Sequence, residues 1–142
     1  YTSGKLGKGR VSGEIIAGVE PIEETLNAID RITDCGAFPT ICVFRPLEGS
    51  DMAVYPSPFY EEMREVFKYM IDRLIAKRIP IGIAPNIEVS LVVQPTDALY
   101  LADHDMNTLL YRAYNKALTS LVKPFFNRRL NRGDKRMEQP AS

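Results

Sequence analysis

The sequence predicts an α/β fold built around a parallel sheet. Three short apolar runs, at residues 13–18, 39–44 and 79–84, are predicted strands. Amphipathic helical patterns separate these runs, and a last helical pattern follows at residues 105–122. Alternation of strands and helices is typical of parallel sheets, in which ligands bind beyond the carboxyl ends of the strands.

The stretch GEIIAGVEPIEET, residues 13–25, predicts the first turn from a strand into a helix. Glu20 is the predicted helix cap, and Pro21 suits the first helical turn because its missing N–H is not needed there. Gly36 is placed to end this helix. The predicted buried stripe of the helix consists of Ile22, Leu26, Ile29 and Ile32.

The second predicted unit contains a long irregular loop. Residues 45–56 separate the second strand from the next helix. Ser57 is predicted to cap that helix, with Pro58 at its first position, and the helical pattern continues to about Lys77. Its predicted apolar face consists of Phe59, Met63, Val66, Phe67, Met70, Ile71 and Leu74.

The third predicted unit follows the strand at residues 79–84. Residues 85–93 predict a loop and a further extended run that ends at Val93. The last helix is predicted to stop at Pro124, since proline cannot continue a helix. Its predicted apolar side consists of Met106, Leu109, Leu110, Ala113, Tyr114, Ala117, Leu118 and Leu121.

Composition excludes several classes of protein. The chain is 45% hydrophobic and has a formal net charge of zero. It therefore has no overall positive charge that would attract nucleic acid or anionic lipid. No apolar run is long enough to span a bilayer, and no signal-peptide pattern opens the chain. Two cysteines without such a signal predict a reducing, cytoplasmic setting. Because the chain begins with Tyr1, we expect it to be a piece of a longer protein.

The two ends of the chain differ in composition from the middle. Residues 1–12 are a predicted basic, Gly-rich entry segment, and residues 124–142 are a predicted basic, flexible tail. The domain between them spans residues 13–123. Phe125 and Phe126 lie among the basic residues of the tail, so contact with RNA is an alternative to simple disorder.

Polar residues follow each predicted strand, where a parallel sheet binds its ligands. Glu20 is interpreted mainly as the entry to a helix and secondarily as a site residue. Arg45 suits a fork-like contact with a carboxylate or phosphate, and equally an ion pair with Glu48. After the third strand, the candidates are Asn86, Glu88 and Ser90.

The stretch from Gly13 to Glu20 resembles the G-x-I-x-G-x-x-E motif of the radical S-adenosylmethionine family. Gly13, Ile15 and Glu20 match, and Ala17 stands where the family usually has glycine. The biotin synthase-like branch is the most similar, since FRPLEGSDM, through Gly49 and Ser50, and GIAPNIEVSLVV resemble its next two strand ends. The resemblance covers roughly residues 8 to 100 and implies the C-terminal half of a (β/α) barrel, with about three βα units and a C-terminal helix.

The resemblance also implies the ligands of the site. Ile15 and Ala17 would lie against the adenine of S-adenosylmethionine, with Glu20 orienting the nearby loops. Phe44 and Arg45 would lie near the same nucleoside. The substrate side of the barrel mouth would carry Asn86, Glu88 and Ser90. In the family, a [4Fe–4S] cluster cleaves S-adenosylmethionine reductively, and the resulting radical takes a hydrogen atom from a small-molecule substrate.

The cluster-binding motif of the family, CxxxCxxC, is missing from this chain. Cys35 and Cys42 are its only cysteines, and they are interpreted as buried small apolar residues rather than metal ligands. His104, between two aspartates, is interpreted as a solvated helix start. We therefore expect no metal site here, and we expect the cluster loop in a missing N-terminal half or a partner chain. A degenerate family member is the alternative.

Two further questions stay open at the level of sequence. If Ile15 and Ala17 face the barrel interior, Glu14 faces the helices; if Glu14, Ile16 and Gly18 face inward, the adenine contact of Ile15 fails. The rival to the enzyme is a non-enzymatic α/β binding or scaffold module whose tail contacts RNA or a protein. A phosphate-binding barrel fragment is a third interpretation, although the expected Gly-rich loop is not evident.

Overall fold

Two parallel strands and the helix that joins them form the centre of the fold. The computed structural model describes residues 2–81 and 92–137. A 3₁₀ turn, Leu99–Leu101, lies between the last two helices. The elements in chain order are α1 (Thr2–Leu6), β1 (Ser12–Ala17), α2 (Ile22–Asp34), β2 (Phe38–Val43), α3 (Tyr60–Ala76), β3 (Val92–Val93), α4 (Pro95–Ala98) and α5 (Met106–Met137).

The sheet has the order β1-β2-β3 and is mixed. β1 pairs with β2 in parallel, from Ser12 opposite Phe38 to Ala17 opposite Val43, which confirms the first predicted βα unit. The prediction of a wholly parallel sheet is wrong, because β3 pairs with β2 in the antiparallel sense, with Val93 opposite Ile41. The chain is therefore α/β with a small mixed sheet.

The segment 79–81, predicted to begin the third strand, is not part of the sheet. Side chains of α5 bind its backbone instead. The Tyr111 hydroxyl donates to the Ile79 carbonyl at 2.7 Å, and the Ile81 N–H donates to the Asn115 side-chain oxygen at 2.8 Å. These bonds satisfy backbone groups that a neighbouring strand would otherwise pair. Residues 82–84 of the predicted strand lie outside the described residues.

Both helices that were predicted to begin at a proline begin at a later residue in the structure. Pro21, not Glu20, occupies the N-cap position of α2, and its carbonyl accepts a hydrogen bond from the Glu24 N–H at 3.0 Å. Phe59 is the N-cap of α3, so Ser57 does not cap that helix. In both places the N-cap residue is extended, Pro21 with ψ 145° and Phe59 with ψ 147°, and the helix begins only after it.

The chain termini are more helical than the sequence predicts. The entry segment contains the short helix α1. α5 does not stop at Pro124 but continues through it to Met137, so much of the predicted flexible tail is helical. The start of α5 agrees with the prediction, because the Asp105 carboxylate accepts the Thr108 N–H at 2.8 Å. In the described ranges, no helix is long and apolar enough to cross a membrane.

The core lies between the sheet and the helices α2 and α3. The predicted stripe of α2 packs here, as does that of α3 except for Phe59, which is 70% exposed. The predicted apolar side of α5 is largely exposed, because the helix turns Tyr111 and Asn115 toward the fold to bind residues 79–81. The largest fully buried apolar side chains of the helices are Ile29, Val66, Met70, Ile71 and Leu74.

A polar network joins α2 to α3. Asp30 of α2 accepts a hydrogen bond from the Tyr69 hydroxyl at 2.9 Å and a charged one from the Arg73 guanidinium. The Lys77 ammonium donates to the Thr33 hydroxyl and to the Asp34 carboxylate, both at 2.7 Å. The hydrogen bond from Arg73 holds the pKa of Asp30 below its ordinary value. The two helices are thus fixed side by side, with their C-terminal ends at the same end of the fold.

We predict that Asp30→Asn lowers the free energy of unfolding by about 1 kcal/mol at pH 7, as expected for a partly exposed ion pair. Because the folded-state pKa of Asp30 is lowered, its contribution is complete above the unfolded pKa of about 4 and is lost as the pH falls below it. Urea unfolding of both proteins between pH 7 and pH 3 checks this. A difference in stability that stays constant or grows toward pH 3 would contradict it.

The helices α2 and α3 end in the same hydrogen-bonded motif but with different residues. After α2, the Gly36 and Ala37 N–H groups donate to the Thr33 and Ile32 carbonyls, and Gly36 has φ 74°. After α3, the equivalent donors bind Ile75 and Leu74, and the left-handed position is filled by Arg78 with φ 51°. Glycine is the residue that usually occupies this position, so Arg78 holds a strained backbone.

We predict that Arg78→Gly raises the free energy of unfolding by about 1 kcal/mol, because glycine adopts positive φ without steric cost. Gly36→Ala should lower it by a similar amount, with Gly4→Ala in α1, where no atom would meet the added Cβ, as the matched control. Chemical denaturation of the three variants measures both effects. A lower free energy of unfolding in Arg78→Gly would contradict the prediction that the backbone is strained at this position.

Candidate functional site

The carboxyl ends of β1 and β2 meet at one edge of the sheet. Their parallel pairing places Ala17 opposite Val43, and the Phe44 N–H donates to the Ala17 carbonyl at 2.8 Å. The chain leaves both strands at this edge, toward Glu20 on one side and Arg45 on the other. The structure therefore brings together the first two sets of predicted site residues, as the parallel pattern indicated.

The faces of β1 differ sharply in exposure. A Cβ built on Gly13 would lie 2.7 Å from the Ile32 side chain of α2, so this residue faces the helices. Ile15 and Ala17 share that face by strand alternation and are buried. Ile16 and Glu14 occupy the other face, where Ile16 is 60% exposed. The sequence left both arrangements open, and in the structure the side chains of Ile15 and Ala17 pack toward α2.

The polar candidates at the edge are accessible. Glu20 is exposed and lies one residue before the N-cap of α2, so it does not cap the helix as predicted. Phe44 is half-buried and Arg45 is exposed. Phe44 has the strand parity of Cys42, which pairs with Ile16, and therefore extends the open face. This edge thus combines an apolar face with one acidic and one basic rim residue.

The predicted substrate residues Asn86, Glu88 and Ser90 lie outside the described residues. Their roles stay predictions. The described chain resumes at β3, which pairs with β2.

The loop after β2 carries a set of exposed apolar side chains that the sequence analysis missed. We call residues 45–59 the rim loop. Its turns are built locally, since the Ser50 hydroxyl donates to the Leu47 carbonyl at 2.8 Å and Gly49 has φ 83°. The aromatic-rich stretch from Val54 to Tyr60 was the available signal. The exposed large apolar side chains of the rim loop and of the start of α3 are Leu47, Val54, Tyr55, Phe59 and Tyr60.

The turn after β1 is fixed against the rim loop. Gly18 has φ 96°, and a Cβ built on it would lie 2.6 Å from the Pro58 ring. A side chain at this position therefore meets both backbone strain and a rigid ring. The contact sets the distance between the two loops at the edge of the sheet.

The described residues contain no group of three or more His, Cys, Asp and Glu side chains placed to hold an ion. The two cysteines do not form a disulfide with each other: Cys42 is half-buried, while Cys35 is exposed, so the prediction that Cys35 is buried is wrong. Cys35 is exposed because it follows the last residue of α2 at the surface.

Comparisons with models of protein families, with curated proteins and with solved structures found no match. The function must therefore be argued from the residues and geometry of the chain.

We predict that Gly18→Ala lowers the free energy of unfolding by about 2 kcal/mol, because it adds strain at positive φ and a clash with Pro58. Thermal unfolding followed by circular dichroism checks this. Gly49→Ala is the matched control: it also sits at positive φ, but no atom lies within 4 Å of its built Cβ. Equal losses in the two variants would show that the Pro58 contact contributes nothing.

Proposed function

We propose that the chain is the C-terminal portion of a radical S-adenosylmethionine enzyme of the biotin synthase-like type, folded as part of a parallel (β/α) barrel. The observation that carries the proposal is the open face of β1, where Ile16 is 60% exposed beside Glu14. In a barrel the helices cover only the outer face of the sheet, while the inner face lines the interior. A doubly wound sheet instead carries helices on both faces.

The free edge of β1 supports the same proposal. Among the described residues, β1 pairs with β2 alone, so no described strand satisfies the N–H and C=O groups along its other edge. A strand of the missing N-terminal half would pair with this edge in the complete barrel. The antiparallel β3 stands at the opposite side, where the proposal requires a parallel strand contributed by residues 79–84. The proposal therefore requires residues 79–81, which α5 binds in this structure, to move into the sheet.

The geometry refines the roles that the resemblance implies. Ile15 and Ala17 pack toward α2 and support the strand from behind. Ile16, which shares the open face with Phe44, is the residue we propose for apolar contact with the adenine ring. Glu20 and Arg45 then lie at the rim. Arg45 offers two parallel N–H donors to a carboxylate, such as that of S-adenosylmethionine or the substrate.

The iron–sulfur cluster does not fit this chain. Its binding requires three thiolates, and the whole sequence contains two cysteines. We therefore assign the cluster to the missing half or a partner chain, and we derive no chemical step through it here. The contribution of this chain is to bind and orient S-adenosylmethionine and the substrate. A cytoplasmic location, in which thiols stay reduced, belongs to the same proposal.

The test uses the complete protein encoded with this chain. We predict that it carries CxxxCxxC upstream of Tyr1 and binds S-adenosylmethionine, and that Ile16→Asp weakens this binding at least about tenfold by placing a charge against the adenine. Isothermal titration calorimetry measures the affinity. Leu121→Asp makes the same change on an exposed side chain of α5 and should leave the affinity unchanged.

The isolated chain supplies a second readout. Because Ile16 is exposed there, Ile16→Asp should change its free energy of unfolding by no more than about 0.5 kcal/mol. An upstream region without the three-cysteine motif, or a complete protein that does not bind S-adenosylmethionine, would overturn the proposal. A binding or scaffold module would then be the better interpretation.

A further inference from the structure

A groove lies between the last turn of α3 and the first turns of α5. Its volume is about 550 Å³, within the range of small-molecule sites. A protein partner would instead need about 800 Å² of surface on this side alone. The described residues that line the groove are Ile75, Ala76, Arg78, Asn107, Leu110, Tyr111 and Tyr114.

The walls of the groove are apolar and unusually exposed. Leu110 is 62% exposed and Tyr114 is 55% exposed, although both are large side chains on a helix that packs against the fold. Tyr111 is held in place, because its hydroxyl donates to the Ile79 carbonyl. Its ring is therefore a fixed surface, with its hydroxyl already bonded. Such walls suit an aromatic or aliphatic body rather than a strongly polar one.

Arg78 provides the charge of the groove. It is exposed, and the described residues give its guanidinium no hydrogen-bond or ion-pair partner. It also occupies the left-handed position that Gly36 fills at the end of α2. A residue kept in a strained backbone conformation is a recognised feature of ligand sites. The strain and the unpaired charge occur at the same residue, beside the same groove.

We propose that this groove binds a small carboxylate with an aromatic or aliphatic body. The carboxylate would accept two N–H donors of Arg78, and the body would lie against Leu110 and Tyr114. Asn107 also lines the groove, and its side-chain amide is hydrogen-bonded to the Asp105 carboxylate. Among the described lining residues Arg78 is the one charged side chain, so the groove matches a ligand of one negative charge rather than a phosphate ester.

The groove is separate from the edge of the sheet that carries the candidate functional site. The Lys77 ammonium reaches the Asp34 carboxylate at 2.7 Å, so α2 and α3 end together. Since α2 begins just after β1 ends and runs back to the start of β2, this is the amino-end side of the strands. The inference therefore does not depend on the radical enzyme proposal.

The experiment titrates 4-phenylbutyrate into the ¹⁵N-labelled chain, followed by amide chemical shifts. We expect saturable shifts at Leu110 and Tyr114. Arg78→Gly should weaken binding at least about tenfold, because it removes both charged hydrogen bonds. It should not unfold the chain, since it relieves strain. Arg78→Lys should retain part of the affinity, and Lys116→Gln, at an exposed cation of α5 away from the groove, should retain all of it.

The neutral analogue 4-phenylbutanamide tests the role of charge, and it should bind at least about tenfold more weakly than the acid. Equal binding of acid and amide, unchanged affinity in Arg78→Gly, or no saturable shift in the groove would overturn the proposal. So would sedimentation showing that a second copy of the chain covers the groove in the absence of ligand.

Discussion

The parallel pairing of β1 with β2 is the constraint on which the rest of the structure depends. Parallel strands cannot be joined by a tight turn, so α2 must cross from the end of one to the start of the other. The crossover places α2 over Gly13, where a side chain would collide with Ile32. One face of β1 is thereby buried and the other left open, and both strand ends are brought to the same edge. The candidate site follows from these consequences.

The sequence predicted what local patterns determine. The strands around residues 13–18 and 39–44, the stripes of α2 and α3 and the end of α2 at Gly36 all appear in the structure. The start of the third predicted strand, residues 79–81, and the predicted apolar side of α5 were wrong for one shared reason. Tyr111 and Asn115 bind the backbone of residues 79–81, and this pairing between distant residues leaves no periodic signal.

The candidate site was predictable in position but not in orientation. Strand order and parallel pairing suffice to bring Glu20 and Arg45 to one edge. The facing of β1 did not follow from the sequence, because Ile15 and Ile16 are equally apolar and each gives a plausible buried face. Only contact with α2 separates them, and that contact depends on the absence of a side chain at Gly13. The strained backbone of Arg78 was also not predicted, because a basic residue after a helix gives no sign in the sequence of a positive φ.

The open face of β1 and its edge that no described strand pairs have one physical explanation. An exposed apolar side chain next to unpaired strand groups invites association with another chain, and proteins limit this with charged residues nearby. Glu14 lies on the same face as Ile16 and reduces that tendency without removing it. A strand pairing along the edge of β1 would satisfy its backbone groups and enclose Ile16 at the same time. In the proposed barrel, this same surface of β1 would line the nucleoside pocket.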